Sequence, residues 1–429
     1  MKTIRNVADV ASWRLCLGCG ACAYICPEKN VRIVDVLQDG LRPQLENGNC
    51  KDCGSCLAVC PGIHTEHAAG SGEKKDGISR CWGTVLELWE GFSEDAEIRY
   101  YGSSAGLATA IGLYCIEKAG MQGVLHIGSN PDEPIRNRTF LSVDRAGLLG
   151  RTGSRYSPAS PCDGLDMIEK ASGPCVFIGK PCDVTGLRKA QALREELDRR
   201  IGLAIGIFCA GTPSTQGTID LLRNARIDPR DVVEMRYRGK GWPGMAEIRQ
   251  INEDFPSFQM SYGESWGFLQ QYRPFRCHLC PDGSSEFADI SCGDPWYRKV
   301  ENDEKGSSLV VVRTELGKKI LHGAITEGYV NLKRVHNGLL EASQINLLWK
   351  RRSVWGRILA MKAFGIPYPR LFGFHLFSNW LDGGMEFKAR SVLGTVKRIV
   401  ARKYYKPCRY GNASMNISGY SSEMTIKKR

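Results

Sequence analysis

Two stretches of this 429-residue chain concentrate reactive sulfur: CLGCGACAYICP over 16–27 and CKDCGSCLAVCP over 50–61. Both read C-x2-C-G-x-C-x3-C-P. A thiolate is a nucleophile and a soft metal ligand, and eight of them in two copies of one spacing need a reason. A zinc knuckle pairs two C-x2-C units and has no use for a third cysteine three residues on. Disulfides belong to oxidising compartments and suit small secreted domains. A [4Fe–4S] cube takes three thiolates from one tight loop and a fourth from the other copy. The spacing therefore assigns Cys16, Cys19, Cys22 and Cys60 to one cube, and Cys50, Cys53, Cys56 and Cys26 to a second. Pro27 and Pro61 turn the chain away after the last ligand, and Gly20 and Gly54 let backbone approach inorganic sulfide.

Over about 60 residues this segment resembles a bacterial-type two-cluster ferredoxin. Such a module moves one electron at a time and makes no bonds, so a redox terminus must lie elsewhere in the chain or beyond it. Four further cysteines are candidates. Cys182 follows the apolar run CVFIG and Cys209 follows LAIGIF, each at the end of a strand-like segment. In a parallel sheet those positions fall on the carboxyl edge, where ligands bind. RCHLC adds Cys277 and Cys280. Together the four suffice for a third [4Fe–4S] cluster; zinc or buried free thiols are the alternatives.

The elements that must position these residues follow from periodicity. GVLHIG (123–128), CVFIG (175–179) and LAIGIF (203–208) read as buried strands, and ATAIGLYCIEKAG (108–120), DVTGLRKAQALREEL (183–197) and TQGTIDLLRNARI (215–227) as helices. Their alternation predicts an α/β fold with a mainly parallel sheet. The expected organisation is a small α+β cluster domain at 1–70, a polar linker at 68–77, a central domain at 80–340 (divided at 170/171) and a basic extension at 341–429 whose last residues fray.

Five blocks resemble the beta subunits of coenzyme F420 hydrogenases and dehydrogenases: GSSAGLATA (102–110), RTGSRYSPAS (151–160), IGKPCDVTGLRK (178–189), FCAGTPS (208–214) and RCHLCPDGSSEFADISCGDPW (276–296). They run in family order over about 200 residues. The resemblance implies FAD beside a cluster held by Cys182, Cys209, Cys277 and Cys280. It implies flavin contacts at Gly102, Ser103, Ser104, Gly106, Thr109, Arg155, Tyr156, Ser157, Gly179 and Pro181. Physically, Ser103 or Ser104 suits an N-cap, and a helix N-terminus suits a pyrophosphate; an ordinary capped helix explains the same residues. Arg151 and Arg155 read as phosphate or ribose partners, or as a surface turn. Two departures from the family pattern matter. Ala105 and Gly106 stand where the family has two glycines, and Gly179, Lys180, Pro181, Cys182 and Asp183 stand where it has Gly-Thr-Pro-Cys-Gln. Lys180 is thus a candidate to stabilise reduced flavin, Asp183 a candidate acid or a helix N-terminal charge, and Asp289 a candidate proton donor. Asp294 reads as a turn-capping aspartate, His278 as a donor to cluster sulfide or a solvent-facing side chain, and His64 and His67 as surface residues. Cys81, Cys115, Cys162, Cys175, Cys292 and Cys408 read as packing.

Composition sets the remaining bounds. Eighteen cysteines without an apolar leader point to reduced thiols and a cytoplasmic address. From Lys350 to Arg429 there are 17 Lys/Arg against 3 Asp/Glu, so this stretch carries +14 of a +12 total and the rest of the chain about −2. That extension reads as a solvated tail packing a few aromatics on the body, as a contact to an acidic protein, or as a peripheral anchor on an anionic membrane face. No nucleic-acid-binding module is visible. The expected activity is that of an iron–sulfur flavoprotein oxidoreductase with three [4Fe–4S] clusters and FAD, joining ferredoxin-type clusters to a small organic acceptor. The alternative is an electron-relay subunit of a hydrogenase or formate dehydrogenase. The resemblance further suggests a deazaflavin acceptor or a link to cell-surface polysaccharide synthesis, with an external ferredoxin as donor and a second copy of the chain as possible partners.

Overall fold

The computed structural model describes residues 4–46, 50–67, 77–300, 304–408 and 410. Most of the expected linker and all of the expected frayed end lie outside these residues. The central element is an eight-stranded mixed sheet in the order Val330–Arg334, Glu87–Ser93, Ser308–Val312, Ile290–Gly293, Ile201–Ile207, Cys175–Gly179, Val124–Ser129, Asn137–Ser142. The four strands from Ile290–Gly293 to Val124–Ser129 pair in parallel. The flanking pairs are antiparallel. The expectation of a mainly parallel sheet thus holds for the centre and not for the flanks. The reason is connectivity: the helix-linked strands between 124 and 207 make crossovers, whereas a local hairpin, Val124–Ser129 with Asn137–Ser142, extends one side and Glu87–Ser93, inserted between Ser308–Val312 and Val330–Arg334, extends the other.

The three predicted strands and three predicted helices are present, the helices as Leu107–Glu117, Pro181–Gln191 and Thr215–Asn224. The second is shorter than 183–197 because the chain breaks at Ala192 before a new helix, Glu195–Arg200. Register settles where the strand-end cysteines go. Gly179 lies opposite Gly206 in the parallel pair, so Cys182 and Cys209 leave the sheet at the same edge.

The N-terminal segment is small and α+β. A hairpin pairs Val31–Val36 with Gly40–Leu45, and each cysteine loop runs into a short helix, Ala21–Ile25 or Ser55–Ala58. Gly20 and Gly54 occupy the residue before each helix at φ 89° and 79°, a left-handed turn that a side chain would strain.

The basic C-terminal segment is folded onto the body. Helices Ile345–Ala363 and Met385–Ala401 pack together, and strand Arg370–Phe372 adds in parallel to His64–Glu66. One apolar core joins Val10, Trp13 and Leu15 from the N-terminal segment, Phe275 and Leu279 from the second knuckle, Met361 and Ile399 from these helices, and Ile366 just past the first of them. Arg351 is buried, pairs with Glu286, and donates to the carbonyls of Arg80 and Phe374. His67 completes the cluster, its Nε2 3.0 Å from Glu286 Oε2 and its ring stacked on Phe287. The reading of His67 as a surface residue is therefore corrected.

Glu286 is buried against its own charge, yet Arg351 and His67 outweigh that and hold its carboxyl at about 2. A carboxylate whose folded pKa lies below its unfolded value binds fewer protons when folded. Its contribution is complete above about pH 4.5 and drains away as pH falls toward 2. Arg351→Met is expected to lower stability by about 3–5 kcal/mol by stranding a buried charge, read as a shift in urea midpoint. The same variant should lose less of its remaining stability on acidification through that window than the parent does. An unchanged acid slope would refute the assignment.

Candidate functional site

Cys16, Cys19, Cys22 and Cys60 line one recess, together with Gly18, Gly20, Gly62, Val7, Val10, Ile33 and Pro43. It encloses about 370 Å³ of empty space, part of it open to solvent. Burial pushes the thiols of Cys16, Cys22 and Cys60 up, Cys60 to about 12. Cys19 differs: a hydrogen bond from Cys162 pulls its pKa down against the burial. Among the described residues no three His, Cys, Asp or Glu side chains converge as a single ion requires, and a zinc ion would draw four thiolates to about 2.3 Å. Four thiols lining one recess are a donor set that a thiolate-held cluster takes.

The second set sits farther out. Cys50 and Cys53 are exposed, and Cys26 and Cys56 half-buried. The Cys56 thiol is raised by burial and then by Cys50 and Cys53. Cys26 and Cys56 pack on the same small core as Cys22, so this set lies between solvent and the first.

Cys182 is the second residue of helix Pro181–Gln191, Cys209 follows strand Ile201–Ile207, and Cys277 lies in the short helix Phe275–His278 with Cys280 just beyond. The thiols of this set influence one another's ionisation. Burial raises the Cys209 thiol to about 11, with Cys277 and Cys280 adding to it, and Cys182 responds to Cys209 and to Cys19. Cations ring this set: Lys350 donates to the Cys209 carbonyl at 3.0 Å, Arg273 to that of Ala210 at 2.9 Å, and Arg357 to that of His278. Sequence reading missed Lys350 and Arg357 because they belong to the basic segment, whose charge is legible but whose fold-back is not. His278 sits among Arg357, Arg273 and Lys350, and burial with those cations lowers its pKa to about 3.

The first and third sets meet across one joint. Ser160 Oγ donates to Gly18 O at 2.6 Å, Cys162 N donates to Cys19 O at 3.0 Å, and Lys189 Nζ donates to Ala58 O at 3.2 Å. A Cβ on Gly186 would stand 3.2 Å from Cys19 Sγ. Cys162 is fully buried here and does more than fill space. Of the other cysteines read as packing, Cys115, Cys175 and Cys292 are buried in the cores; Cys81 donates to Asn379 and Cys408 to Ser12 O.

The expected flavin contacts divide. Helix Leu107–Glu117 begins at Gly106, not at a serine, and no side chain caps it. Ser103 Oγ instead accepts from Ser154 N at 2.7 Å, Ser104 Oγ donates to Ser308 Oγ at 2.9 Å, and the Thr109 hydroxyl pairs with Thr152 at 3.0 Å. Ser104, Ala105 and Gly106 are left-handed in succession, at φ 52°, 54° and 72°. Two of these carry side chains, a strain of about 1–3 kcal/mol each. A Cβ on Gly102 would meet Ile98 O at 2.6 Å and Gly106 Cα at 2.7 Å, so that glycine is required by packing. Arg155 is committed to Asn137 Oδ1 and to the carbonyls of Met235, Pro134 and Arg136, leaving at most one of its five N–H donors. Arg151 donates to Gly147 O and lies over Phe140. Tyr156 is packed among Tyr237, Tyr262 and Trp266, and Ser157 donates to Ile135 O. Gly179 presses on Phe177 and Asp183, and Pro181 is the first residue of its helix.

Lys180 places Nζ 2.7 Å from both Asp183 oxygens and 3.1 Å from Ala159 O. Its three protons are thereby used. Burial opposes its charge, but Asp183 and the neighbouring thiols hold it protonated. Asp289 accepts from Arg188 Nη2, Ala204 N and Thr314 Oγ1, each at 2.8 Å, and ties the sheet to two helices. Asp294 is no simple turn cap: it takes both Arg238 Nη atoms and Trp242 Nε1, under a Tyr262–Trp296–Trp242 stack. His64 does lie at the surface, paired with Glu66.

Three models of known families match. Residues 15–62 match a 4Fe-4S dicluster domain. Residues 88–165 and 174–337 match the N-terminal and C-terminal parts of the coenzyme F420 hydrogenase/dehydrogenase beta subunit and together cover more than half of the chain. The coenzyme F420 hydrogenase subunit beta of Methanothermobacter thermautotrophicus is 25% identical, over 67% of this chain and 99% of its own. That of Methanosarcina barkeri is 24% identical over 57% and 80%. The F420-dependent formate dehydrogenase 1 subunit beta of Methanococcus maripaludis is 24% identical over 58% and 61%. A chain of the F420-reducing [NiFe] hydrogenase complex from Methanosarcina barkeri shares the fold, at TM-score 0.53 and 20% identity over 69% of this chain and 97% of that one.

The joint is testable by volume. Gly186→Val drives a branched side chain at Cys19 Sγ and is expected to destabilise by about 1–3 kcal/mol, with earlier proteolytic nicking near Lys51 and Lys189. Gly263→Ala, in a helix with open space around it, should instead be neutral or gain up to about 1 kcal/mol. Equal behaviour of the two variants would argue against a tight joint.

Proposed function

Because the chain belongs to the coenzyme F420 hydrogenase/dehydrogenase beta-subunit family, with a 4Fe-4S dicluster domain at its N-terminal end, we propose that it is an iron–sulfur flavoprotein oxidoreductase. It exchanges electrons between an external donor such as a ferredoxin and a small organic acceptor: a deazaflavin, or an oxidised metabolite of cell-surface polysaccharide synthesis. The observation that carries the reading is the succession of three thiol sets from solvent to sheet edge: Cys50 and Cys53 exposed, Cys16, Cys19 and Cys22 buried behind them with Cys60 half-buried, and Cys182 within electrostatic reach of Cys19.

When bound, [4Fe–4S] clusters carry single electrons and FAD exchanges one for two. The protein's part is to hold, orient and compensate. The three sets supply twelve thiolates. Lys350, Arg273 and Arg357 offset the charge of the third, since Lys350 and the two arginines all donate to carbonyls around it. The strained left-handed turn at Ser104–Gly106 with Ser103 and Thr109 fits the start of a flavin cradle, because such strain persists where surrounding structure enforces it for a purpose. Arg155 and Tyr156 fit poorly as direct contacts, since four of the five Arg155 donors are spent on other groups and the Tyr156 ring is packed among Tyr237, Tyr262 and Trp266. Lys180 and Asp183, locked together, fit a positioning role beside Cys182 better than proton transfer. Asp289 fits a structural one. Exposed Cys50 and Cys53 fit a reducing, cytoplasmic setting.

A second reading is that of a relay subunit that turns over nothing alone. Relatives are named as subunits of hydrogenases and formate dehydrogenases. In addition, Phe372, Phe377, Leu381, Met385, Leu393 and Val400 expose apolar surface on one C-terminal segment that is rich in Lys and Arg, a composition suited to a protein partner or an anionic membrane face. No helix among the described residues is long and apolar enough to cross a membrane.

The chain isolated alone under anaerobic conditions is expected to hold about twelve iron atoms, four per cube, and one FAD. It should reduce a deazaflavin with dithionite. Cys182→Ser should remove about a third of the iron and leave the ferredoxin-type signals in place. Full iron and flavin without turnover would favour the relay reading, and colourless protein would defeat both.

A further inference from the structure

Arg276 is the bulkiest fully buried side chain in the described structure, at 2% exposure. A guanidinium stays protonated under all ordinary conditions, and burying one without compensation costs several kcal/mol. Its Nε donates to Gly62 O and its Nη2 to Pro61 O, both at 3.2 Å, which are the two carbonyls just after Cys60. Nη1 is buried with no hydrogen-bond partner. The charges that reach it belong to Cys280, Cys277, Cys182 and Cys60. Three of these thiols are in the third set and one is in the first. The residue therefore stands between two sets of soft anions, with one N–H group unsatisfied by protein.

We propose that Arg276 is a fixed cation shared by the first ferredoxin-type cluster and the third cluster, raising both reduction potentials together and keeping them matched for electron exchange. This rests on the reading of Cys182, Cys209, Cys277 and Cys280 as ligands of a third cluster. The role is one of positioning charge. A buried positive group stabilises the reduced, more negative state of any cluster near it, and the effect is large where no water screens it. The second set, Cys26, Cys50, Cys53 and Cys56, lies farther out, with Cys50 and Cys53 exposed, so water screens it and it receives little of this. The Pro61 and Gly62 carbonyls hold the guanidinium in place, so its position is fixed by the same loop that delivers Cys60.

The test uses the full chain, anaerobically loaded, with iron counted and each cluster titrated by EPR. Signals are assigned with Cys53→Ala and Cys182→Ser. In Arg276→Gln the one-electron reduction of the first and third clusters should each become on the order of tenfold less favourable, roughly a 59 mV fall, while the second stays within about twofold of the parent. Arg276→Lys, which keeps the charge and loses the fork, should recover most of that shift. Unchanged potentials at full iron, or a shift confined to one cluster, would overturn the proposal. If the Gln variant fails to hold iron, the Lys variant decides: potentials near the parent's support a charge role, and a tenfold fall overturns it. About eight iron atoms in the parent chain would instead sink the third cluster itself, an outcome separable from unchanged potentials at twelve.

Discussion

Sulfur anions taken out of water must be met by positive charge, and most of this architecture answers that demand. Most of the candidate ligands are buried or half-buried, and burial drives the thiols of Cys22, Cys60 and Cys182 away from ionisation. What restores the balance is drawn from distant parts of the chain. Arg42 presses on Cys16 from the hairpin, Lys180 on Cys182 from the sheet edge, and Lys350 on Cys209 and Cys280 from a helix that begins at Ile345. A low-dielectric setting strengthens each of these contacts and raises the cost of omitting any of them.

The C-terminal segment accordingly has a structural meaning that its composition hides. As sequence it is a run of Lys and Arg with scattered aromatics. In the fold its inward face is split between charge and grease: Arg351 closes on Glu286, Met361 and Ile366 fill the core shared with Trp13 and Leu15, and Trp380 stacks near Trp355. The net positive charge is thus in part a counterweight for buried acid and thiol rather than a free tail. What remains outside is the mixed apolar and basic surface around Met385 and Leu393.

The cysteine spacing made a 4Fe-4S dicluster domain legible, because closely spaced cysteines need little long-range information. The strand-end positions of Cys182 and Cys209 were legible too, since strand and helix periodicity marks the carboxyl edge. The antiparallel flanks were not: Glu87–Ser93 and Val330–Arg334 carry mixed polar faces, and partners more than two hundred residues apart leave no local mark. Cys162 looked like filler because its neighbour, Cys19, is distant in sequence. Arg155 and Asp289 looked chemical because motif resemblance marks a residue without saying where its hydrogen bonds go. In both cases the donors and acceptors are spent on holding strands together.

The pairing of Arg370–Phe372 with His64–Glu66 carries a consequence for biogenesis. The strand beside the second cysteine motif leaves the ribosome roughly 300 residues before its partner, and at roughly 5–20 residues per second that is an interval of roughly 15–60 s. Until then the early loops have neither their roof nor the Met361–Ile399 packing behind Cys16. Iron delivery during synthesis would meet an open door, and the last helices to emerge would shut it.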